Sequence, residues 1–567
     1  MPPQKKRNKL PKQKILKSKL KLPKFKKMKN IVFIYCGFDL THAFDKIFSG
    51  ICAFERVLLW TKNIPNLESI KILVNPELSA NVKECLKNQK NQNISSAKII
   101  EKSSWNTQLL LETMAIECQN SLADFAIFTS ADKPFLDIEL TSEILNEHQK
   151  YLAEYTFADG FPEGFAPQVI SSGTLNLLSE LVKTKTQIAQ SKVNDSSIFN
   201  VLKTDINSFE IESYIAPKDF RMLRLDFSCS SKLLTLSCKN LYDEALNSKV
   251  PFRALELSEL AQKSAKCQQT VPAFYNIQIS AKSSSKATYN PEFPFSKDEN
   301  FVMNLEHFKA LLSQISSLSE EAVISLSAFG EPFTNPQILL YISEVLKNPH
   351  FNLILETEGI ELNQEIILKI KNILDSSPKL KKSSPNISQL ENRINFIVYL
   401  DAFTKEKYFE LHKNCPEDSF EKAKASLELL EESFPNCVYP LFTRTQENEN
   451  ELEKFYRFYH DEKSVSKGHL IIQKYDDYCK LLSQKKVADL TPYERNVCWH
   501  LKRDVTILKD GSVPLCKEFF NETKLGNVFE EGLENLWAKT NQIVQNQIEK
   551  KYLKKCEDCD EYYTFNF

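Results

Sequence analysis

The sequence predicts an α/β multidomain fold, and three observations predict it. Short apolar runs alternate with amphipathic helical patterns over residues 30–245. A second series of six strand-like runs, with helical segments between them, opens near residue 271. The last stretch, 481–567, breaks the pattern, with few strand runs and four cysteines.

The chain of 567 residues is 42% hydrophobic and 26% charged, a globular composition with material for several cores. Its net charge of −1 is uneven: residues 1–29 carry 13 Lys or Arg and no acid, which leaves −14 for the rest. The basic tail, 1–27, has no apolar core of a secretory signal, and no run approaches the ~20 apolar residues of a membrane span. Three readings of the tail stay open: a nucleic-acid arm, an anchor for anionic membranes, or a disordered extension before a start at Met28. Outside the tail nothing points to nucleic acid. Fourteen cysteines in so long a chain fit a reducing cytoplasm with mostly free thiols.

In the first domain, 28–245, IVFIY, IKILVN and ADFAIFTS read as buried parallel strands. Residues 246–270 read as a linker. In the second domain, 271–480, the strand candidates are YNIQIS, AVISLSAF, FNLILETEG, INFIVYLDA, CVYPLFTR and GHLIIQK, which suggest a partial (β/α)6 barrel of TIM type. The insert KKSSPNISQLEN reads as a surface loop.

The C-terminal cysteines carry the clearest chemistry. Cys498, Gly511 and Cys516 have C-x12-G-x4-C spacing, and Cys556 and Cys559 form a C-x2-C knuckle. Asp510-Gly511 is a turn signal, so VTILKDGSVPLC reads as a hairpin that returns Cys516 toward Cys498. Four thiolates suit zinc or one [4Fe–4S] cluster equally on count. His500 reads as a surface histidine, or as an outer hydrogen-bond donor to the metal site. The eight histidines show no paired-ligand spacing, and no Ser-His-Asp context is legible.

This segment resembles a SPASM domain, the accessory module of many radical-SAM enzymes, down to LGNVFEEGLENLW at Leu525–Trp537. The resemblance implies an iron–sulfur cluster in place of zinc. The middle domain resembles the radical-SAM barrel. SLSAFGEPFTNP carries Gly330-Glu331-Pro332, which in the family meets the amino group of S-adenosylmethionine. The family's CxxxCxxC would fall on Ser283, Ala287 and Asn290, and none is cysteine. Neutral or absent ligand atoms cannot hold iron as thiolates do, so reductive cleavage of S-adenosylmethionine is expected to be lost.

The first domain resembles the GT-A-like nucleotidyltransferase fold, a Rossmann-like architecture. Cys36 to Lys46 matches the phosphate loop at Gly37, Asp45 and Lys46. Ala131-Asp132-Lys133-Pro134 matches a G/A-D-x-P turn, which makes Asp132 a candidate Mg²⁺ ligand assisted by Asp137. The implied ligand is a nucleotide or nucleotide-sugar. FADGFPEGFAP reads as a pocket-lining loop. With CWHLKRD at Cys498–Asp504, the combination resembles the spiro-SPASM family. The expected function is an iron–sulfur-binding SPASM protein whose barrel has become a binding, redox or scaffold module. The alternatives are a Mg²⁺-dependent nucleotidyl- or glycosyltransferase and a zinc-stapled protein without enzymatic activity.

Overall fold

The computed structural model describes residues 28–37, 39–88, 97–380, 392–522 and 524–564. The basic tail, Phe38 of the phosphate-loop match and residues 381–391 of the insert lie outside the described residues. Among the described residues no helix is long and apolar enough to cross a membrane.

The first sheet has seven strands: β1 (Asn30–Cys36), β2 (Leu67–Val74), β3 (Ala97–Glu101), β4 (Phe125–Ser130), β5 (Tyr155–Asp159), β6 (Gln168–Ser171) and β7 (Ile211–Ile215). Their order is β3-β2-β1-β4-β6-β5-β7. β1 pairs in parallel with both β2 and β4, while β6 runs antiparallel to β4 and β5. Strand β1 shows why the run is continuously apolar. Val32, Ile34 and Cys36 enter one core, and Ile31 and Phe33 enter the core on the opposite face. Chain order reverses between β1 and β4, and ligands of open α/β sheets gather outside the strand ends at such a point. The presumed linker is not loose. Its helix Ala254–Lys263 buries Ala254, Leu257 and Ala261 in the first core.

The second sheet is a curled parallel half-barrel. All six expected strands form: β8 (Phe274–Ile277), β9 (Ala322–Ser325), β10 (Phe351–Thr357), β11 (Ile394–Tyr399), β12 (Val438–Arg444) and β13 (Ile471–Lys474). A seventh comes from the cysteine-rich segment. β14 (Asp504–Ile507) pairs in parallel with β8, giving the order β13-β12-β11-β10-β9-β8-β14. This corrects the expected hairpin. Leu508 and Gly511 do make the tight turn, but β15 (Ser512–Pro514) pairs with β16 (Lys524–Asn527), not with β14. Val505, Ile507, Leu536 and Trp537 share the barrel's core with Tyr341 and Phe396, so one core crosses the 480/481 division. The Trp537 indole donates to the Thr270 carbonyl at 2.8 Å.

Glycine is required twice in the C-terminal segment. At Gly511 (φ +85°) an added Cβ would lie 2.3 Å from the Phe529 ring, and at Gly526 (φ +153°) 2.0 Å from Glu531. Asn527 follows, capping the next helix at Phe529 N and donating to the Asp510 carbonyl. The LGN sequence therefore closes the turn that carries Cys516.

Candidate metal and nucleotide sites

Cys498, Cys516 and Cys556 meet in one small apolar cluster with Leu501, Leu515, Phe519 and Val544. Cys559 joins them, close enough to act electrostatically on Cys498, Cys516 and Cys556. Cys498 precedes the helix Trp499–Arg503, Cys516 follows β15, Cys556 lies within the short helix Lys554–Asp558 and Cys559 caps its C-terminus. Buried Gln547 ties the halves. Its carbonyl accepts from Cys498 N at 3.0 Å and its amide reaches the Cys556 sulfur at 3.9 Å. Arg495 holds the knuckle by donating to the Cys559 carbonyl at 3.3 Å.

Sequence reasoning missed a fifth thiol. Cys479 lies beside Cys559, and the interaction of the two thiols draws Cys559 below the usual thiol range and raises Cys479 itself. Tyr478, Cys479 and Lys480 are all left-handed, with φ of 49°, 54° and 68°. Such a turn of non-glycine residues costs roughly 1–2 kcal/mol per residue. Ion pairs hold it against the knuckle: Lys480 with Asp558, and Lys486 with Asp560 at 2.7 Å.

The donor set fits an iron–sulfur cluster. Burial pushes the Cys498 and Cys516 thiols up and Cys556 up to about 11. Without a cation, thiolates here are costly, and a bound metal reverses that preference. Zinc would draw sulfurs to within ~3.8 Å of one another, as ~2.3 Å bonds in a tetrahedron require. Among the described residues, the trio of metal-ligand types that closes to within 4.8 Å is Cys52, Glu55 and Cys85 of the first domain, not three of the C-terminal cysteines. In that trio the sulfurs lie 3.8 Å apart and Glu55 caps Cys52 N. His500 is buried, bonded to Asp504 at 2.6 Å and Thr564 at 3.2 Å, which corrects its reading as a surface residue.

The barrel loop that would carry CxxxCxxC is built differently. Ser283 and Asn290 are exposed, while Ala287 is buried beside Tyr289, Leu411 and Tyr475. Polar contacts pin the loop. Ser285 Oγ is 3.1 Å from His412 Nδ1, and His412 Nε2 is 3.2 Å from Asp401, which also accepts from Tyr289. A Ser-His-Asp array is thus present that the sequence did not reveal. Gly330 lets the loop pass, since a Cβ there would meet the Ser280 carbonyl at 2.0 Å. Pro332 opens the short turn Pro332–Thr334. Glu331 is fully engaged within the fold, accepting from Phe333 N, Thr357 Oγ1 and Glu358 N at 2.7–3.0 Å.

Burial raises Glu331 to about 7, and burial plus the neighbouring Glu331 raise Glu358 to about 8. Both carboxyls stay protonated in the fold at pH values where the unfolded chain has released its protons. Their contribution to stability therefore falls as pH rises from about 4.5 through 8. Thermal unfolding should show this fall in the wild type and a flatter profile in Glu358→Gln. Parallel profiles would contradict the assignment.

In the first domain Asp132 lies just beyond β4, at the β1/β4 switch point, where Ala131 N donates to the Tyr35 carbonyl at 2.8 Å. Ser130 donates to Asp132 at 2.5 Å. Asp195 and Asp226, which sequence reasoning missed, lie within its electrostatic reach, and Glu163 in turn acts on Asp226. Asp195 pairs with buried Lys133 at 2.9 Å, and Glu163 forms a backbone bridge with Asp226. Burial first, then neighbouring acids, raises Asp132 to about 6 and Asp226 to about 7. This is the electrostatic setting a divalent cation relieves. Asp137 stands apart from that role. It caps the helix Ile138–Lys150 and accepts from Ala254 N at 2.7 Å, so its oxygens are committed to the fold. Gly37 follows β1, Asp45 accepts from His42 at the surface, and exposed Lys46 faces Glu84 at 3.7 Å.

A family profile described as SPASM, an iron–sulfur cluster-binding domain, matches residues 498–560. The chain is 35% identical over 377 residues to an uncharacterized protein of Treponema pallidum (strain Nichols), covering 66% of this chain and 99% of that protein. A second uncharacterized protein of that strain is 42% identical over 53 residues, 9% of this chain and 24% of its own length. Among solved structures, the chain is similar to a cytidylyltransferase from Leptospira borgpetersenii (13% identity, 42% of this chain, 94% of that one, TM-score 0.33). It is also similar to anSMEcpe with bound AdoMet (15% identity, 52% and 87%, TM-score 0.35). A third similarity is to Streptococcus suis SuiB bound to precursor peptide SuiA (13% identity, 72% and 93%, TM-score 0.38).

Proposed function

This chain and its Treponema relative belong to one family, and the C-terminal segment of this chain is a SPASM domain; from that premise, and from the resemblance to spiro-SPASM proteins, we propose an iron–sulfur-binding protein that does not cleave S-adenosylmethionine and acts as a binding, redox or scaffold module. One contrast carries the reading: thiols converge at the C-terminal site, while the barrel loop has none and turns Ser283 and Asn290 outward. Cys498, Cys516, Cys556 and Cys559 would hold one [4Fe–4S] cluster. When bound, the cluster supplies electron transfer or a rigid cross-link, because four thiolates leave no open iron. The chain's own residues orient the thiols through Gln547 and Arg495 and shield them with Leu501, Phe519 and Val544. Cys479 places a further thiol beside one ligand sulfur, Cys559, where it can tune such a cluster. A reducing cytoplasm is the compartment in which this site would load. Incubation with S-adenosylmethionine and dithionite tests the reading.

A second reading, Mg²⁺-dependent nucleotidyl or glycosyl transfer, is favoured by the electrostatic coupling of buried Asp132 to Asp195 and Asp226. Calorimetric titration with nucleoside triphosphates and nucleotide-sugars in Mg²⁺ should then show binding that Asp132→Ala weakens at least ~10-fold, the loss of ~1.4 kcal/mol of cation contact. Binding that survives the substitution unchanged, or no binding at all, would remove this reading.

A further inference from the structure

Two helices of the first domain bring a pair of thiols and a carboxyl group together inside its core. Cys52 is the N-cap of the helix Ala53–Thr61, and Glu55 stands in that helix's first turn. Cys85 lies on the buried face of the helix Pro76–Asn88, with Leu78 and Val82. One ligand atom from each of Cys52, Glu55 and Cys85 lies within 4.8 Å of the other two. We propose that these three residues form a second metal site, for one zinc ion, that ties the two helices together. The site belongs to the first domain's apolar core, apart from the C-terminal cysteines, and stands whether or not those cysteines hold a cluster.

The distances suit zinc. The Cys52 and Cys85 sulfurs are 3.8 Å apart. Two thiolates on tetrahedral zinc, each with a ~2.3 Å bond, stand about that far from one another. The carboxyl group is already oriented. Cys52 N donates to Glu55 Oε2 at 2.9 Å, which closes a capping box and leaves Oε1 for a cation. Carboxylates that bind metals are commonly fixed by such a hydrogen bond on the second oxygen. Both negative ligands of this helix also sit at its N-terminus, where the macrodipole favours them.

Burial gives an independent reason. Cys52 is fully buried, Glu55 is 3% exposed and Cys85 6%. A glutamate this deep is ordinarily paired with a cation or bound to a metal. The basic residues nearest in sequence are engaged elsewhere: Lys46 faces Glu84, and Arg56 donates to the Pro134 carbonyl beside the rings of Phe48, Phe135, Tyr242 and Phe252. Two soft thiolates select zinc over magnesium or calcium, and the hard carboxylate oxygen disfavours copper(I). Loading the site releases the two thiol protons. Three protein ligands leave the fourth zinc position to water.

The test is metal analysis of the full-length protein, purified without oxygen and supplied with zinc, together with X-ray absorption at the zinc edge. The wild type should hold about one zinc per chain, with two sulfurs at ~2.3 Å and oxygens at ~2.0–2.2 Å. Cys52→Ser, which keeps a capping side chain, and Cys85→Ala should each lose most of the zinc and leave the iron content unchanged. Glu55→Gln, whose amide oxygen can still accept from Cys52 N, should weaken zinc binding at least ~10-fold in competition with a chelator. Circular dichroism checks that the variants fold. A wild type without zinc, or folded Cys52→Ser and Cys85→Ala variants that keep it, overturns the proposal. A shell of four sulfurs overturns it too, since the zinc would then sit on the C-terminal cysteines.

Discussion

Reconstituted protein incubated with S-adenosylmethionine and dithionite will release no 5′-deoxyadenosine above a Cys498→Ala control. Reductive cleavage needs a cluster with one open iron, held by three thiolates at the first barrel strand. In this chain those positions are Ser283, Ala287 and Asn290, of which two are exposed and the third packs into an apolar cluster. The carboxyl of the Gly330-Glu331-Pro332 turn is engaged within the barrel itself. Glu331, which would meet the amino group, spends its oxygens on Phe333, Thr357 and Glu358. Opening that network would leave a buried carboxyl group without partners, at a cost of about 1–3 kcal/mol for the unsatisfied group. Release of 5′-deoxyadenosine by wild type and not by the Cys498→Ala control would place the chemistry at the C-terminal site and overturn the assignment.

Cys498→Ser and Cys559→Ser will each lose most of the bound iron and destabilise the C-terminal segment by several kcal/mol, because metal binding is coupled to folding. The damage will spread into the barrel. β14 is its edge strand, and Val505, Ile507, Leu536 and Trp537 belong to its core. Hydrogen exchange should therefore accelerate in β8 as well as in residues 504–564. Cys479→Ala should behave differently: four thiols remain, so iron should be retained. Iron loss in Cys479→Ala equal to that in Cys559→Ser would make Cys479 a ligand and displace one of the four.

Three central strands of the first sheet and six of the second were legible because parallel strands covered on both faces must be apolar throughout, as IVFIY and FNLIL are. The four cysteines were legible by spacing, since turn and knuckle are local constraints. What sequence could not show was long-range. β14 finds β8 across more than 220 residues, and VTIL next to Asp510-Gly511 looks locally like a hairpin. Cys479 reaches Cys559 through a left-handed turn that contains no glycine to mark it, fixed by ion pairs to a distant knuckle. Asp226 comes within electrostatic reach of Asp132, and Glu163 pairs with Asp226, only because separate loops return over the sheet. His412 and Asp401 flank Ser285 for the same reason. Asp137 carried a legible signal of another kind: an aspartate directly before an amphipathic run is a helix cap.

The central claim is that the C-terminal cysteines hold an iron–sulfur cluster. Iron, zinc and acid-labile sulfide measured together on protein purified without oxygen test it most directly. The account predicts about four iron and four sulfide per chain, as one [4Fe–4S] cluster contains, and both lost in Cys498→Ser. One zinc per chain, with neither iron nor sulfide, would contradict it.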